Sequence, residues 1–232
     1  MIIAANLKTN LTRKETNVYM EAVQKCAQKS SQEVFVFPAM SSLDKYKASS
    51  VTVGAQNAYP TVNGAFTGEI GLEHLEEFGI KTILIGHSER RHILGETQKF
   101  IAKKFDYFKQ QGFKIVYCVG EPLEIREKSE KEMHAYISAQ FENIDTEYEN
   151  LIIAYEPVWA IGTGKVPTSH DIKDMHTRLK EKSHAPVLYG GSVKVNNIKE
   201  ILQIENVDGV LVGGAALYSE HFCTMIKYAD AL

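Results

Sequence analysis

Residues 151–165 read LIIAYEPVWAIGTGK, and the change of character inside this stretch decides how the chain folds. Leu151 to Ala154 is apolar at every position, as a strand must be when both of its faces are covered. Strands of that kind belong to parallel sheets flanked by helices. Glu156 falls where the run stops, which puts a carboxylate at a strand end rather than in a core. Pro157 removes a backbone donor and Trp159 carries a large apolar surface. Gly162 and Gly164 permit backbone angles and approaches that other residues resist. That mix suits a loop that closes over a ligand, with the carboxylate at its root.

Outward from this segment the same unit recurs: a short apolar run, a Gly-rich or polar break, then a helical stretch. Candidate strands are Ile2–Ala5, Val34–Phe37, Val51–Ala55, Thr82–Ile85, Lys114–Val119, Leu151–Tyr155, Val187–Tyr189 and Gly209–Val212. Between them run stripes of helical period: Tyr19, Val23, Cys26; Ile101, Phe105, Phe108; Met133, Ile137, Phe141; Ile172, Met175, Leu179; and Phe222, Met225, Ile226, Ala229. Thr12 with Glu15 and Thr168 with Asp171 have the spacing of capping boxes. The weakest helical signal follows the third strand. Eight strand–helix units in 232 residues fit an α/β fold of the (β/α)8 barrel type, one domain over 1–232, better than an open doubly wound sheet. No Pro/Gly/Ser-rich linker divides the chain.

Composition narrows the function. Apolar residues make up 44% of the chain, enough for a sizeable core, and no apolar run approaches the ~18 residues of a membrane span. The N-terminal MIIAAN lacks a basic leader and does not read as a signal peptide. Cys26, Cys118 and Cys223 are widely spaced, giving neither a disulfide framework nor a metal signature, so a reducing cytoplasm is the expected compartment. A net charge of −3 without a basic block argues against nucleic acid.

The strand ends carry the chemistry. Asn6 and Lys8 follow the first strand, Gln56 and Asn57 the third, His87 the fourth, Glu121 the fifth, Glu156 the sixth, Ser192 the seventh and Gly213 the eighth. In a barrel these positions meet on the carboxyl-end rim, where barrel enzymes place their active sites. YGGSV (189–193) and GVLVGGAAL (209–217) put Gly-rich turns after the last two strands, where backbone N–H groups and a helix opening at Gly214 or Ala215 can hold an anion. Neither nucleotide-binding glycine motif is present, so the ligand reads as a small phosphorylated molecule. GHSERR (86–91) opens a helix, which places His87 at a positive dipole end. It is expected to stay neutral there and to donate a hydrogen bond. Lys8 is the cation that offsets a phosphate and a developing oxyanion. Glu89 is expected to pair with Lys8, and Ser88 to orient Glu156. A carboxylate, a neutral donor, a cation and a phosphate grip, with neither metal nor cofactor, indicate proton abstraction beside a carbonyl and an enediolate stabilised electrostatically.

YEPVWAIGTGK, GHSERR, YGGSV and the Gly pair of VGGA together make the chain resemble the triosephosphate isomerase family along its whole length. That family is itself the standard example of a Glu base, a neutral His and a closing loop, so those roles come with the resemblance. It implies interconversion of dihydroxyacetone phosphate and D-glyceraldehyde 3-phosphate in glycolysis and gluconeogenesis. Glu156 would be the base, His87 the electrophile, and Asn6 and Lys8 the substrate-contacting pair. Gly162, Ser192, Gly213 and Gly214 would bind the phosphate, and Tyr189 would hold the lid shut. It also implies a homodimer through the Gly64–Glu69 loop, with Thr67 near the partner's Asn6 and the partner's Lys8.

Three departures from the family pattern stand out. Leu7 replaces a Trp, Val166-Pro167 replaces Thr-Ala after the lid, and the connection near the sixth helix is short. Pro167 should stiffen the second hinge of the lid. Cys118 and Glu121, close to the rim, are taken as structural. Two other readings of the same residues remain: a Schiff-base aldolase with Lys8 as nucleophile, and a barrel that only binds.

Overall fold

A computed structural model describes residues 1–47, 49–161 and 167–232. Eight parallel strands form one sheet: β1 (Ile2–Asn6), β2 (Glu33–Phe37), β3 (Thr52–Val53), β4 (Thr82–Ile85), β5 (Lys114–Val119), β6 (Leu151–Tyr155), β7 (Val187–Tyr189) and β8 (Gly209–Val212). Their spatial order is β3-β2-β1-β8-β7-β6-β5-β4, so the first strand lies against the last. The two remaining edges meet through Ala55, which bridges Ile83. Its N–H donates to the Thr82 carbonyl, and its own carbonyl accepts from Leu84 N–H, both at 2.9 Å. The sheet is therefore closed, and the chain is a (β/α)8 barrel.

Closure explains why the strands are apolar on both faces. Alternate residues point in opposite directions. One set (Ile2, Ala4, Phe35, Phe37, Leu84, Val116, Cys118, Ile152, Ala154, Leu188, Leu211) packs together as the barrel interior. The other set, including Ile3, Ala5, Val36, Ile83, Ile115, Ile153 and Val210, packs under the helices.

Among the described residues the helices are α1 (Arg13–Ala27), α2 (Leu72–Glu77), α3 (Ser88–His92), α4 (Gln98–Gln110), α5 (Leu123–Arg126), α6 (Glu130–Ala139), α7 (Ser169–Lys182), α8 (Ile198–Leu202) and α9 (Ser219–Asp230). The capping boxes of Thr12 with Glu15 and Thr168 with Asp171 are formed, and Ser129 with Glu132 makes a third at the start of α6. Phe141 falls beyond the end of α6. The strand after β2 is shorter than its sequence suggests. Gly54 N–H still donates to Val36 C=O, but Gly54 lies flat on Phe37, where a Cβ would come within 2.2 Å of the ring. The weak helical signal that follows is a short helix, α2, entered only after a long loop. Between α7 and β7 only residues 183–186 intervene, which accounts for the shortness of the chain there.

One expectation is overturned: Cys26 and Cys223 form a disulfide. They lie 197 residues apart, and their spacing in the chain carries no sign of pairing. Barrel closure packs α9 against α1, bringing their Cα atoms to 5.8 Å, within the range a disulfide spans. Cross-linking so long a loop stabilises mainly by restricting the unfolded chain. Cys26→Ser, or reduction with dithiothreitol, should lower the unfolding free energy by about 2–5 kcal/mol, read from the guanidinium midpoint. An unchanged midpoint would show that the bond contributes nothing.

Candidate active site

The interior alternation of the barrel continues past the strand ends and builds the site. Ile152 and Ala154 point inward along β6, so the next inward position is Glu156. Ile2 and Ala4 point inward along β1, followed by Asn6. Along β7 and β8, Leu188 and Leu211 are followed by Gly190 and Gly213, which have no side chain to fill the mouth. A cavity of about 360 Å³ opens there, lined by Asn6, Lys8, His87, Glu156, Ser192, Gly213 and Gly214 among others. Every expected site residue within the described part of the chain is thus brought to one place. Gly162 lies outside the described residues, as do lid positions 163–165 and the following Val166.

Glu156 is only 2% exposed, and a buried carboxylate needs donors. It has two. Its Oε1 lies 2.9 Å from His87 Nε2, and its Oε2 accepts the Ser88 backbone N–H at 2.8 Å. Ser88 therefore orients Glu156 through its main chain, at the first turn of α3. Burial pushes the Glu156 carboxyl up, but His87, Ser88 and Lys8 outweigh it and hold the group below the usual carboxylate range, so the carboxylate is ionised. Gly190 leaves room here, since a Cβ would sit only 3.0 Å from Glu156 Cγ and 3.2 Å from the Tyr155 carbonyl oxygen.

His87 caps α3, and its Nδ1 accepts the Glu89 N–H at 3.3 Å. That leaves the ring proton on Nε2, aimed at Glu156. The tautomer is the one a hydrogen-bond donor needs. Burial lowers the imidazole, yet the Glu156 carboxylate, with Glu89 behind it, raises it above its ordinary value. α3 is only five residues long and its dipole is correspondingly weak, whereas the carboxylate is in direct contact.

Lys8 follows β1 in a left-handed backbone conformation, φ 52°, uncommon for a residue with a side chain. The conformation is held from two sides. Lys8 N–H donates to Asn6 Oδ1 at 3.0 Å, and Gln56 Nε2 donates to Lys8 C=O at 2.7 Å. The side chain then crosses Gly213 to reach Glu89 Oε1 at 2.6 Å, the ion pair expected from the sequence. Gln56 was visible only as a polar residue ending a strand; its role depends on a contact across 48 positions. At the turn after β8, the Gly213 and Gly214 N–H groups donate to no protein acceptor among the described residues. The helix expected to open there is a short 3-10 turn, Gly214–Leu217, with α9 following it.

The triosephosphate isomerase family model matches residues 1–229. The chain belongs to the triosephosphate isomerase family. The triosephosphate isomerase of Sulfurimonas denitrificans is 67% identical over 232 residues, covering 99% of this chain and 96% of that protein. That of Sulfurovum sp. is 58% identical, covering 97% and 99%, and that of Helicobacter pylori strain Shi470 is 48% identical, covering 98% of each.

Two departures from the triosephosphate isomerase pattern can now be placed. Leu7 is fully buried, with its N–H on Phe37 C=O at 3.0 Å, so the substitution sits in the core beside the site rather than in it. Pro167 is buried directly before the Thr168 cap of α7. Glu121 accepts from Tyr155 Oη and Trp159 Nε1, each at 2.9 Å, and so holds the residues on either side of Glu156 without lining the cavity.

The contact between His87 and Glu156 is testable by pH. In the ligand-free protein the imidazole should titrate above its ordinary value of about 6.5, and in Glu156→Gln it should titrate lower than in the wild type. Nitrogen-15 NMR of the ring reads both. Equal titration in the two proteins would mean that the carboxylate is not what raises it.

Proposed function

We propose that this chain interconverts dihydroxyacetone phosphate and D-glyceraldehyde 3-phosphate through an enediolate, in glycolysis and gluconeogenesis. The observation that carries the reading is an ionised, buried Glu156 carboxylate sharing one cavity with His87 Nε2–H and the Lys8 ammonium. A triose seated there with its phosphate against Ser192, Gly213 and Gly214, and against Gly162, presents its carbonyl side to His87. Glu156 takes a proton from one carbon and returns it to the neighbouring one. His87 donates to the oxygen that becomes negative, and Lys8 and Asn6 stabilise it. Substrate must first displace the pairing of Glu156 with His87 and that of Lys8 with Glu89. Proton transfer of this kind uses only these side chains, so the reading requires no metal or cofactor.

The chain is taken as one domain, residues 1–232, and as a cytoplasmic enzyme, in keeping with the small anionic substrate. Among the described residues no helix is long and apolar enough to cross a membrane. The cytoplasm sits uneasily with the Cys26–Cys223 bond, because reducing compartments keep such pairs as thiols.

A homodimer through the Gly64–Glu69 loop is part of the same proposal. Phe66 stacks on Tyr59 with ring centroids 4.2 Å apart yet stays exposed, as do Val62, Ile93 and Leu94. Exposed apolar side chains in such number suit a covered face. Sedimentation at low micromolar concentration should give twice the chain mass; a stable, fully active monomer would contradict the dimer.

The activity is tested by a coupled assay on the wild type and Glu156→Asp. Withdrawing the carboxylate by one methylene should lower kcat about 100-fold or more with little change in KM, since the position of the base matters chiefly in the transition state. Equal activity in the two proteins would remove Glu156 as the base.

A further inference from the structure

Gln140 lies outside the site described above: it caps the C-terminus of α6, is 6% exposed and does not line the cavity. Its side chain nevertheless makes two hydrogen bonds at a decisive place. The β5–β6 ladder ends with Val119 opposite Tyr155 and with Glu156 N–H on Val119 C=O at 2.8 Å. The next residue, Gly120, is buried, and the ladder supplies no partner for its N–H or C=O. Leaving either unpaired would be costly. The carboxamide of Gln140 supplies both: Gly120 N–H donates to Gln140 Oε1 at 3.1 Å, and Gln140 Nε2 donates to Gly120 C=O at 2.8 Å. One side chain thus stands in for a neighbouring strand.

What Gly120 touches gives this clamp its consequence. A Cβ at Gly120 would lie 1.7 Å from the Glu156 carbonyl oxygen, so the two main chains are in direct contact and a shift of one displaces the other. The residue after the clamp, Glu121, accepts from Val158 N–H through its carbonyl at 3.1 Å, besides holding Tyr155 and Trp159 through its carboxylate. Gly120 and Glu121 together brace the residues on both sides of Glu156. Gln140 sits at the helix end, and the Tyr117 hydroxyl donates to its backbone carbonyl without touching the carboxamide that holds Gly120.

We propose that Gln140 is a positioning residue for proton transfer, holding Glu156 in register through its paired hydrogen bonds to Gly120. The proposal rests on the isomerase reading. A carboxylate rooted on a loosened main chain still lies beside its substrate but no longer at the attack distance, and a displacement of about 1 Å can cost a large factor in rate.

The test compares wild type, Gln140→Met and Tyr117→Phe, assayed as full-length protein and normalised to the folded fraction seen by circular dichroism. Gln140→Met removes both bonds at nearly constant volume. It should lower kcat by at least about 10-fold with KM within about twofold. Tyr117→Phe disturbs the same buried network but leaves both Gly120 bonds in place. It should lower the melting temperature while leaving kcat within about twofold of wild type. A folded Gln140→Met with wild-type kcat overturns the proposal, as does an equal loss in both variants, which would reflect general loosening. Failure of Gln140→Met to fold also overturns it, marking Gln140 as a residue of the fold alone. Wild-type protein that does not isomerise the triose defeats the underlying reading instead, whatever the variants do.

Discussion

The whole molecule depends on a strict alternation. In a closed barrel of parallel strands every side chain faces either the interior or the helices, and the choice made at one residue dictates those two positions away. Ile152 and Ala154 are inward because the interior must be filled, and that packing delivers Glu156 to the mouth. Asn6 arrives in the same way from Ile2 and Ala4. Where the next inward position is glycine, at Gly120, Gly190 and Gly213, the interior stops being filled. At Gly190 and Gly213 it becomes a cavity; at Gly120 the space is taken by the backbone of Glu156.

Burial then sets the electrostatic problem. A carboxylate as enclosed as Glu156 persists in charged form only if donors compensate for lost water. In the ligand-free site the donors are Ser88 N–H and His87, while Glu89 compensates Lys8. The charges at the mouth of the barrel are thus mutually satisfied in the ligand-free site. His87 therefore cannot be read from its helix alone. A five-residue helix contributes a weak field, and the imidazole instead reports the carboxylate in contact with it.

Much of this was legible in the chain. Five of the eight strands, including β6, which ends just before Glu156, run between the residues their apolar runs suggested. Both anticipated capping boxes exist, because a helix start is a local arrangement of four residues. The ion pair of Lys8 with Glu89 and the orienting role of Ser88 could also be anticipated, since a barrel brings strand ends to one rim. The features that escaped reading are contacts between distant segments. Gln56 reaches Lys8 across the rim, Gln140 reaches Gly120 from a helix end, and Cys26 reaches Cys223 around the seam of the barrel. None leaves a periodic or local trace.

The sequence by itself determined that eight apolar runs would form buried parallel strands, that their ends would carry a carboxylate, an imidazole, a cation and two glycine turns, and which family this combination belongs to. Those properties follow from residue type and spacing along the chain. Only the tertiary structure decided how the charges are paired, which backbone groups are held by a side chain in place of a strand, and that the first and last helices are covalently joined. Hydrogen bonds, pKa values and disulfides depend on distances of a few ångströms in space, and barrel closure sets those distances between residues that can lie nearly two hundred positions apart.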